Sequence, residues 1–208
     1  AHTEVDVKDL NIDFLAGSGH KLCGPTGIGF LWSREEILDK MPPLFGGGEM
    51  IQDVSEKKST WADLPHKFEA GTPAIAEAIG LSEALSYINK LGLNNIEKYE
   101  NELTKYLFKE LLLINDLNII GPNPEEDSKR ASLASFYINN IHSNDIAEIL
   151  DSKGVCIRSG HHCCQPLHKY LNINSTARVS MNFTTTKDDI DIFIAKLKET
   201  IKFLKIYS

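Results

Sequence analysis

Ser18-Gly19-His20-Lys21 places a lysine at the end of the apolar run 12–17, and the chain leaves it through Leu22-Cys23-Gly24-Pro25. A lysine at the end of a buried strand is a candidate to bind a carbonyl through its amine. Free lysine titrates at about 10.4 and is a poor nucleophile at neutral pH, so desolvation and an imine-forming partner make such a residue useful. The hydroxyl of Ser18 and the imidazole of His20 are suited to hydrogen-bond a phosphate, and the combination points to pyridoxal 5'-phosphate (PLP). For these four residues alone, a surface lysine opening a turn is the plain alternative.

A second cluster, Arg158-Ser159-Gly160-His161-His162-Cys163-Cys164-Gln165-Pro166, follows the strand-like segment 154–157 and sets a thiol beside two imidazoles in a turn. A cysteine with a pKa of about 8.5 is mostly protonated at neutral pH, and a neighbouring His, Arg or cationic substrate lowers that value or takes the proton. Cys163 is therefore a candidate nucleophile. His161, His162, Cys163 and Cys164, with His142 and His168 elsewhere, also invite a zinc reading. Adjacent ligands do not easily occupy two corners of one tetrahedron and no CxxC or HxxxH pair is present, so no metal is expected. A turn with a buried histidine and inert cysteines is the structural alternative. Arg178 is read as opening an apolar strand, where a stray charge is costly. Its guanidinium can grip a carboxylate through two parallel hydrogen bonds. The alternative is an arginine at a surface edge. Arg158 could orient the Cys163 loop or assist carboxylate recognition.

Together, SGHK and RSGHHC resemble the two signatures of the cysteine desulfurases, in the SufS-like (group II) branch that includes selenocysteine lyases, within the class V, fold-type I aminotransferase superfamily. Gly46-Gly47-Gly48-Glu49-Met50-Ile51, Phe68-Glu69-Ala70-Gly71-Thr72-Pro73 and Ala177-Arg178-Val179-Ser180-Met181-Asn182-Phe183 continue the resemblance in order. The resemblance implies that Lys21 carries PLP, that Ser18 and His20 contact its phosphate, and that Thr72 reaches the phosphate in the partner subunit of a homodimer. It further implies that Cys163 accepts sulfur from L-cysteine or L-selenocysteine and that Arg178 holds the substrate carboxylate. A SufE- or SufU-like acceptor would then collect the sulfur for iron–sulfur cluster assembly. Cys164 departs from the pattern, because relatives carry a small residue such as alanine there; the extra thiol is either inert or diverts the persulfide. In relatives an aspartate for the pyridinium nitrogen, a glutamine and a ring-stacking histidine precede the lysine, so the resemblance covers the C-terminal half, and little activity is expected of residues 1–208 alone. Another fold-type I PLP enzyme, such as an aminotransferase or epimerase, a catalytically dead half that dimerises or binds an acceptor, and a zinc module are the rival classes.

The elements that must position these residues follow from periodicity. Segments 11–17 and 27–32 read as short buried strands bracketing the lysine turn, with a short helix over 34–41. Gly24-Pro25-Thr26-Gly27-Ile28-Gly29 lacks the ending of a P-loop and the order of a dinucleotide fingerprint, so it reads as a turn into the next strand. Segment 42–63 is a long loop or ribbon, either an ordinary connection or a dimer-interface element. Helices are expected over 74–91, 94–113 and 187–206. Strands are expected at 118–120 and 133–138, separated by the turn-rich segment 121–129, and Ser143 is a candidate cap for the helix through Ile149. The expected fold class is α/β, a fold-type I PLP-dependent transferase. Residues 1–90 form the C-terminal part of the large domain, and 91–208 form a small α+β domain carrying the cysteine loop.

Composition narrows the function classes. Of 208 residues, 22 are basic and 29 acidic, a net charge of −7, which argues against non-specific nucleic-acid binding and attraction to an anionic membrane. No uninterrupted apolar stretch has bilayer length, and Ala1-His2-Thr3-Glu4 does not open a signal peptide. The chain lacks an initiator methionine and reads as a processed product or a fragment. Cys23, Cys156, Cys163 and Cys164 are expected as reduced thiols, Cys23 and Cys156 as packing residues, in a cytoplasmic or plastid-like compartment.

Overall fold

The computed structural model describes residues 1–124 and 130–207, which form two compact units, one over 3–94 and one over the described residues from 95 onward. Of the expected turn over 121–129, residues 125–129 lie outside the described residues.

In the first unit, β1 (Phe14–Ser18) and β2 (Gly29–Ser33) form an antiparallel ribbon running from Phe14 opposite Ser33 to Ser18 opposite Gly29. The chain joins them through a 3₁₀ turn at Gly19–Leu22, followed by the glycine-rich loop. Helix α1 (Glu35–Lys40) opens with two glutamates and closes with a lysine, matching its charges to the helix dipole. The 42–63 segment is a ribbon, β3 (Ile51–Val54) against β4 (Ser59–Trp61), with a register shift between Ile51 and Asp53. Helix α2 (Ile75–Leu91) closes the unit.

The expectation of buried strands is corrected here. Phe14, Phe30 and Leu31 are 46%, 41% and 58% exposed. Continuous apolar strands suit a sheet covered on both faces, and a two-stranded ribbon has too few neighbours to cover them.

The second unit is an antiparallel four-stranded sheet of order β5-β6-β8-β7, from β5 (Leu117–Ile119), β6 (Leu133–Ile138), β7 (Arg158–Gly160) and β8 (Thr176–Ser180). Its core is packed by α3 (Leu93–Leu111), α4 (Ser143–Ser152) and α6 (Lys187–Tyr207). In β6 every second side chain, Ala134, Phe136 and Ile138, is buried, the period-two pattern of a strand with one covered face. Helix α3 buries Ile96, Leu103, Leu107 and Leu111, and α6 buries Ile190, Phe193, Ile194, Leu197 and Ile201, each at helical spacing.

Four local expectations differ from the structure. The strand expected at 154–157 begins only at Arg158, because the amides of Gly154 and Val155 are taken by the carbonyls of Asp151 and Leu150 at the end of α4. His142, rather than Ser143, caps α4: its Nδ1 accepts the Asn144 amide at 3.2 Å, while the Ser143 hydroxyl pairs with Ser175 at 2.7 Å. Arg178 sits in the middle of β8 instead of opening it, opposite Ser135 on β6 and Arg158 on β7. Cys23 and Cys156 are exposed rather than packed. The Cys156 thiol lies 3.4 Å from the Asp151 carboxylate, which pushes its pKa up.

Candidate active site

Lys21 sits in the 3₁₀ turn directly after β1, on a bend whose backbone leaves no room for a side chain at Gly19. The Gly19 amide donates to the Ile28 carbonyl at 2.8 Å, and a Cβ at Gly19 would lie 2.8 Å from Ile28 Cγ2 and 2.9 Å from Ile28 O. Cys23, in the left-handed region at φ 60°, ends the turn. Helix α2 supports the bend: a Cβ at Gly24 would come within 2.8 Å of Leu81 Cδ1. Lys21 and His20 are exposed and Ser18 is half-buried. Among the described residues no hydrogen bond or ion pair engages the side chains of Ser18, His20 or Lys21. An amine, a hydroxyl and an imidazole thus stand free on one turn, a donor set that suits an aldehyde carbonyl and a phosphate.

Thr72 is exposed in the same unit, after Gly71 at φ +80°. The Gly71 amide donates to the Gly48 carbonyl at 2.9 Å, which brings the GGGEM and AGTP segments side by side. No hydrogen bond among the described residues links Thr72 to the Lys21 turn.

In the second unit the structure brings Arg158, Cys163 and Arg178 together. Arg158 and Arg178 are directly opposite across β7 and β8, an arrangement of like charges that is unfavourable unless an anion lies between them. Arg178 Nε is buried without a hydrogen-bond partner. Arg158 Nη2 is 3.8 Å from Cys163 Sγ, so a guanidinium stands beside the exposed thiol. The loop that presents this thiol runs through left-handed backbone at His162 (φ 51°) and Cys163 (φ 62°), closed by the Cys164 amide on the His161 carbonyl at 2.9 Å. Non-glycine residues resist that conformation, so the tertiary structure must hold it.

The anchor is His162. Its Nε2 is 3.1 Å from both the carbonyl and the hydroxyl oxygen of Thr176. A carbonyl only accepts, so Nε2 carries the proton. Likewise His168 Nδ1 donates to the Cys164 carbonyl at 3.2 Å, which leaves His168 Nε2 to accept the Thr176 hydroxyl at 3.1 Å. Burial holds the His162 pKa below its usual value; the Thr176 carbonyl opposes this, and the charges of Arg178 and Arg158 reinforce it. His162, His168 and Thr176 escaped the sequence reading as supports of the loop. The i, i+4 spacing of Cys164 and His168, with the proline that opens helix α5 (Gln165–Tyr170), is the signal that places His168 under the loop. With Cys164, Leu167 and Arg178 these residues line a cavity of about 180 Å³. Among the described residues no cluster of three or more His, Cys, Asp or Glu side chains is arranged to hold a metal ion.

Residues 1–193 match the family described as aminotransferase class-V. A probable cysteine desulfurase of Synechocystis is 52% identical over 202 residues, which are 97% of this chain and 48% of that protein. A probable cysteine desulfurase of Staphylococcus aureus is 48% identical over the same share of each. Among solved structures, the cysteine desulfurase CsdA of Escherichia coli superposes with a TM-score of 0.90 at 35% identity, over 97% of this chain and 49% of that one. The apo cysteine desulfurase of Thermococcus onnurineus superposes with a TM-score of 0.91 at 40% identity, over 97% and 50%. The chain spans about half the length of the curated relatives it matches.

Proposed function

The chain belongs to the class-V aminotransferase family, and from that premise we propose that it is the lysine- and cysteine-bearing part of a PLP-dependent cysteine desulfurase of the SufS-like branch. The observation that carries the reading is Cys163, held exposed on a left-handed loop beside Arg158 by a histidine anchored from the neighbouring strand. An aminotransferase or epimerase of the same fold keeps the lysine but has no use for a presented thiol.

PLP, when bound, supplies an electron sink that makes bonds at the α and β carbons of an amino acid labile. Lys21 would hold its carbonyl and later move the substrate's α proton at Nζ. The Ser18 hydroxyl and His20 imidazole would bind the phosphate, and Thr72 would reach the phosphate of a second subunit. The opposed guanidinia of Arg158 and Arg178 are suited to a carboxylate, which would offset their repulsion. The Cys163 thiolate would take the sulfur of L-cysteine, forming a sulfur–sulfur bond as the carbon–sulfur bond breaks, and alanine leaves.

Selenocysteine fits the same positions, and its carbon–selenium bond is weaker. A SufE- or SufU-like protein is the proposed sulfur acceptor, in the service of iron–sulfur cluster assembly. A homodimer is favoured by the apolar surface of the first unit, where Leu44 is 86% and Phe45 73% exposed. Four free cysteines suit a reducing compartment, cytoplasmic or plastid-like; among the described residues no helix is long and apolar enough to cross a membrane. With the faces of β1 and β2 uncovered, residues 1–208 alone should position the cofactor poorly and turn over little L-cysteine.

The test is borohydride reduction of the full-length PLP-loaded protein, peptide mapping, and measurement of alanine from L-cysteine. The pyridoxyl group is expected on Lys21, and Lys21→Ala should lose the label and lower turnover on the order of a thousandfold or more. A label on another lysine would overturn the assignment.

A further inference from the structure

The proposed reaction leaves Cys164 without a task, yet its surroundings are those of a held sulfur. Its thiol donates to the His161 carbonyl at 2.9 Å, and its Sγ is 3.8 Å from His168 Nδ1, the nitrogen that carries the proton. His168 is 5% exposed. Cys164 and His168 line the cavity of about 180 Å³ with the apolar Leu167, Leu171 and Ile173 and the polar His162 and Arg178. One sulfur atom, similar in size to a water molecule's share of about 30 Å³, fits there with room to spare. Cys163 has the opposite setting: it is exposed at the loop apex, beside the Arg158 guanidinium.

We propose that Cys164 is a second sulfur carrier, which takes the outer sulfur of the Cys163 persulfide and holds it against the cavity. This rests on the desulfurase reading. The Cys164 sulfur attacks the outer persulfide sulfur; a new sulfur–sulfur bond forms at Cys164 as the old one to Cys163 breaks. The electron pair departs with the Cys163 thiolate, which takes up the equivalent of the proton lost by Cys164. The moving sulfur keeps its oxidation state, so no oxidant is needed.

Geometry favours this exchange over a direct disulfide between the neighbours. A disulfide needs the two Sγ atoms about 2.05 Å apart and usually a Cα separation of about 4.4–6.8 Å, whereas consecutive Cα atoms are about 3.8 Å apart. Attack on the outer sulfur needs the two Sγ atoms about 4 Å apart, two sulfur–sulfur bonds with the migrating atom between them, a spacing that splayed side chains reach. The Arg158 charge favours departure of the Cys163 thiolate. On the receiving side, His168 Nδ1–H, which donates to the Cys164 carbonyl, lies 3.8 Å from the Cys164 Sγ, and Leu167, Leu171 and Ile173 set apolar side chains beside the held sulfur, which limits the approach of small thiols.

The test is one turnover of the full-length PLP-loaded protein with L-cysteine and no acceptor. Alkylation at timed intervals, proteolysis and fragmentation between residues 163 and 164 then locate the extra sulfur, and alanine is measured in parallel. Sulfur should appear first on Cys163 and then accumulate on Cys164 as the Cys163 signal falls. In Cys164→Ala and Cys164→Ser it should stay on Cys163 and be released to a small thiol reductant several-fold faster than in the parent. Alanine formation with sulfur found on Cys163 and never on Cys164 would overturn the relay while leaving the desulfurase reading intact. Absence of both alanine and a loaded Cys163 would remove that reading and the relay with it.

Discussion

In the cysteine-bearing unit, among the described residues, 17 buried apolar side chains from α3, α4, α6, the sheet and the adjoining Ile114 and Met181 form one continuous core, in which the Phe136 and Phe193 rings are 6.5 Å apart. In the lysine-bearing unit, among the described residues, Met50, Leu81 and Ile88 alone reach that degree of burial, while Phe14, Phe30, Leu31, Ile75 and Ile79 remain exposed. The first arrangement can hold a strained loop by itself, since displacing His162 would disturb both Thr176 and the sheet. The second holds its lysine turn by backbone closure, Gly19 on Ile28, and by α2 beneath it. The proposed nucleophile, Cys163, which must be aimed, sits on the self-sufficient unit. Lys21, the proposed cofactor lysine, sits on the unit with apolar surface to spare.

The sharpest break in this contrast would come from the nucleophile. Cys163→Ala should abolish protein-bound persulfide and acceptor-dependent sulfide release, while PLP still attaches to Lys21. Normal sulfide release in this variant would show that the rigid unit carries no chemistry. If Cys164→Ala were inactive in persulfide formation instead, the neighbouring thiol would be the nucleophile.

Core truncation comes next. Phe136→Ala, at a fully buried position, should destabilise the protein by about 3–5 kcal/mol, whereas Phe30→Ala, 41% exposed with its ring against Gly17, should cost about 1–2 kcal/mol. Denaturant melts of the two variants measure this. Equal losses would mean that Phe30 is covered in the full-length protein, erasing the contrast between the units.

Arg178→Lys keeps the charge and loses the two-pronged grip. Loss of one charged hydrogen bond, about 1.5–3 kcal/mol, corresponds to a rise in KM for L-cysteine of about ten- to a hundredfold. Unchanged KM with lost PLP would move Arg178 from substrate to cofactor. The smallest effect is the titration of His162. Its folded pKa lies below the ordinary 6.5, chiefly through burial, so the neutral ring contributes stability above that pH, and the contribution is lost as pH falls through the folded value. Ring chemical shifts followed from pH 8 to pH 5 should place the midpoint below 6.5; one above it would mean that burial does not outweigh the hydrogen bond to the Thr176 carbonyl.

Most of the helices were legible in the sequence, because α2, α3 and α6 each carry more than four turns of apolar spacing, and a strand or loop does not sustain that period for so long. The 133–138 strand was legible for the matching reason, alternation with one covered face. Where a short segment had two outlets for its backbone groups, the sequence was silent. Val155 and its neighbours are apolar enough for a strand, but their amides are spent on the end of α4. His142 and Ser143 both offer a capping acceptor, and the proximity of Ser175 decided which was free to cap.

The sequence by itself determined the reactive inventory: Lys21 on a glycine turn, Cys163 among imidazoles and Arg178 in an apolar strand, since residue type and order are enough to name an amine, a thiol and a guanidinium. Only the tertiary structure decided how they are presented. The opposition of Arg158 and Arg178 is a matter of strand register, and the left-handed loop under Cys163 is strained locally and held by contacts from Thr176 and His168. The cavity that Cys164 shares with His162, His168 and Arg178 is lined from both α5 and the sheet. These features depend on distances between residues far apart in the chain, which no local pattern encodes.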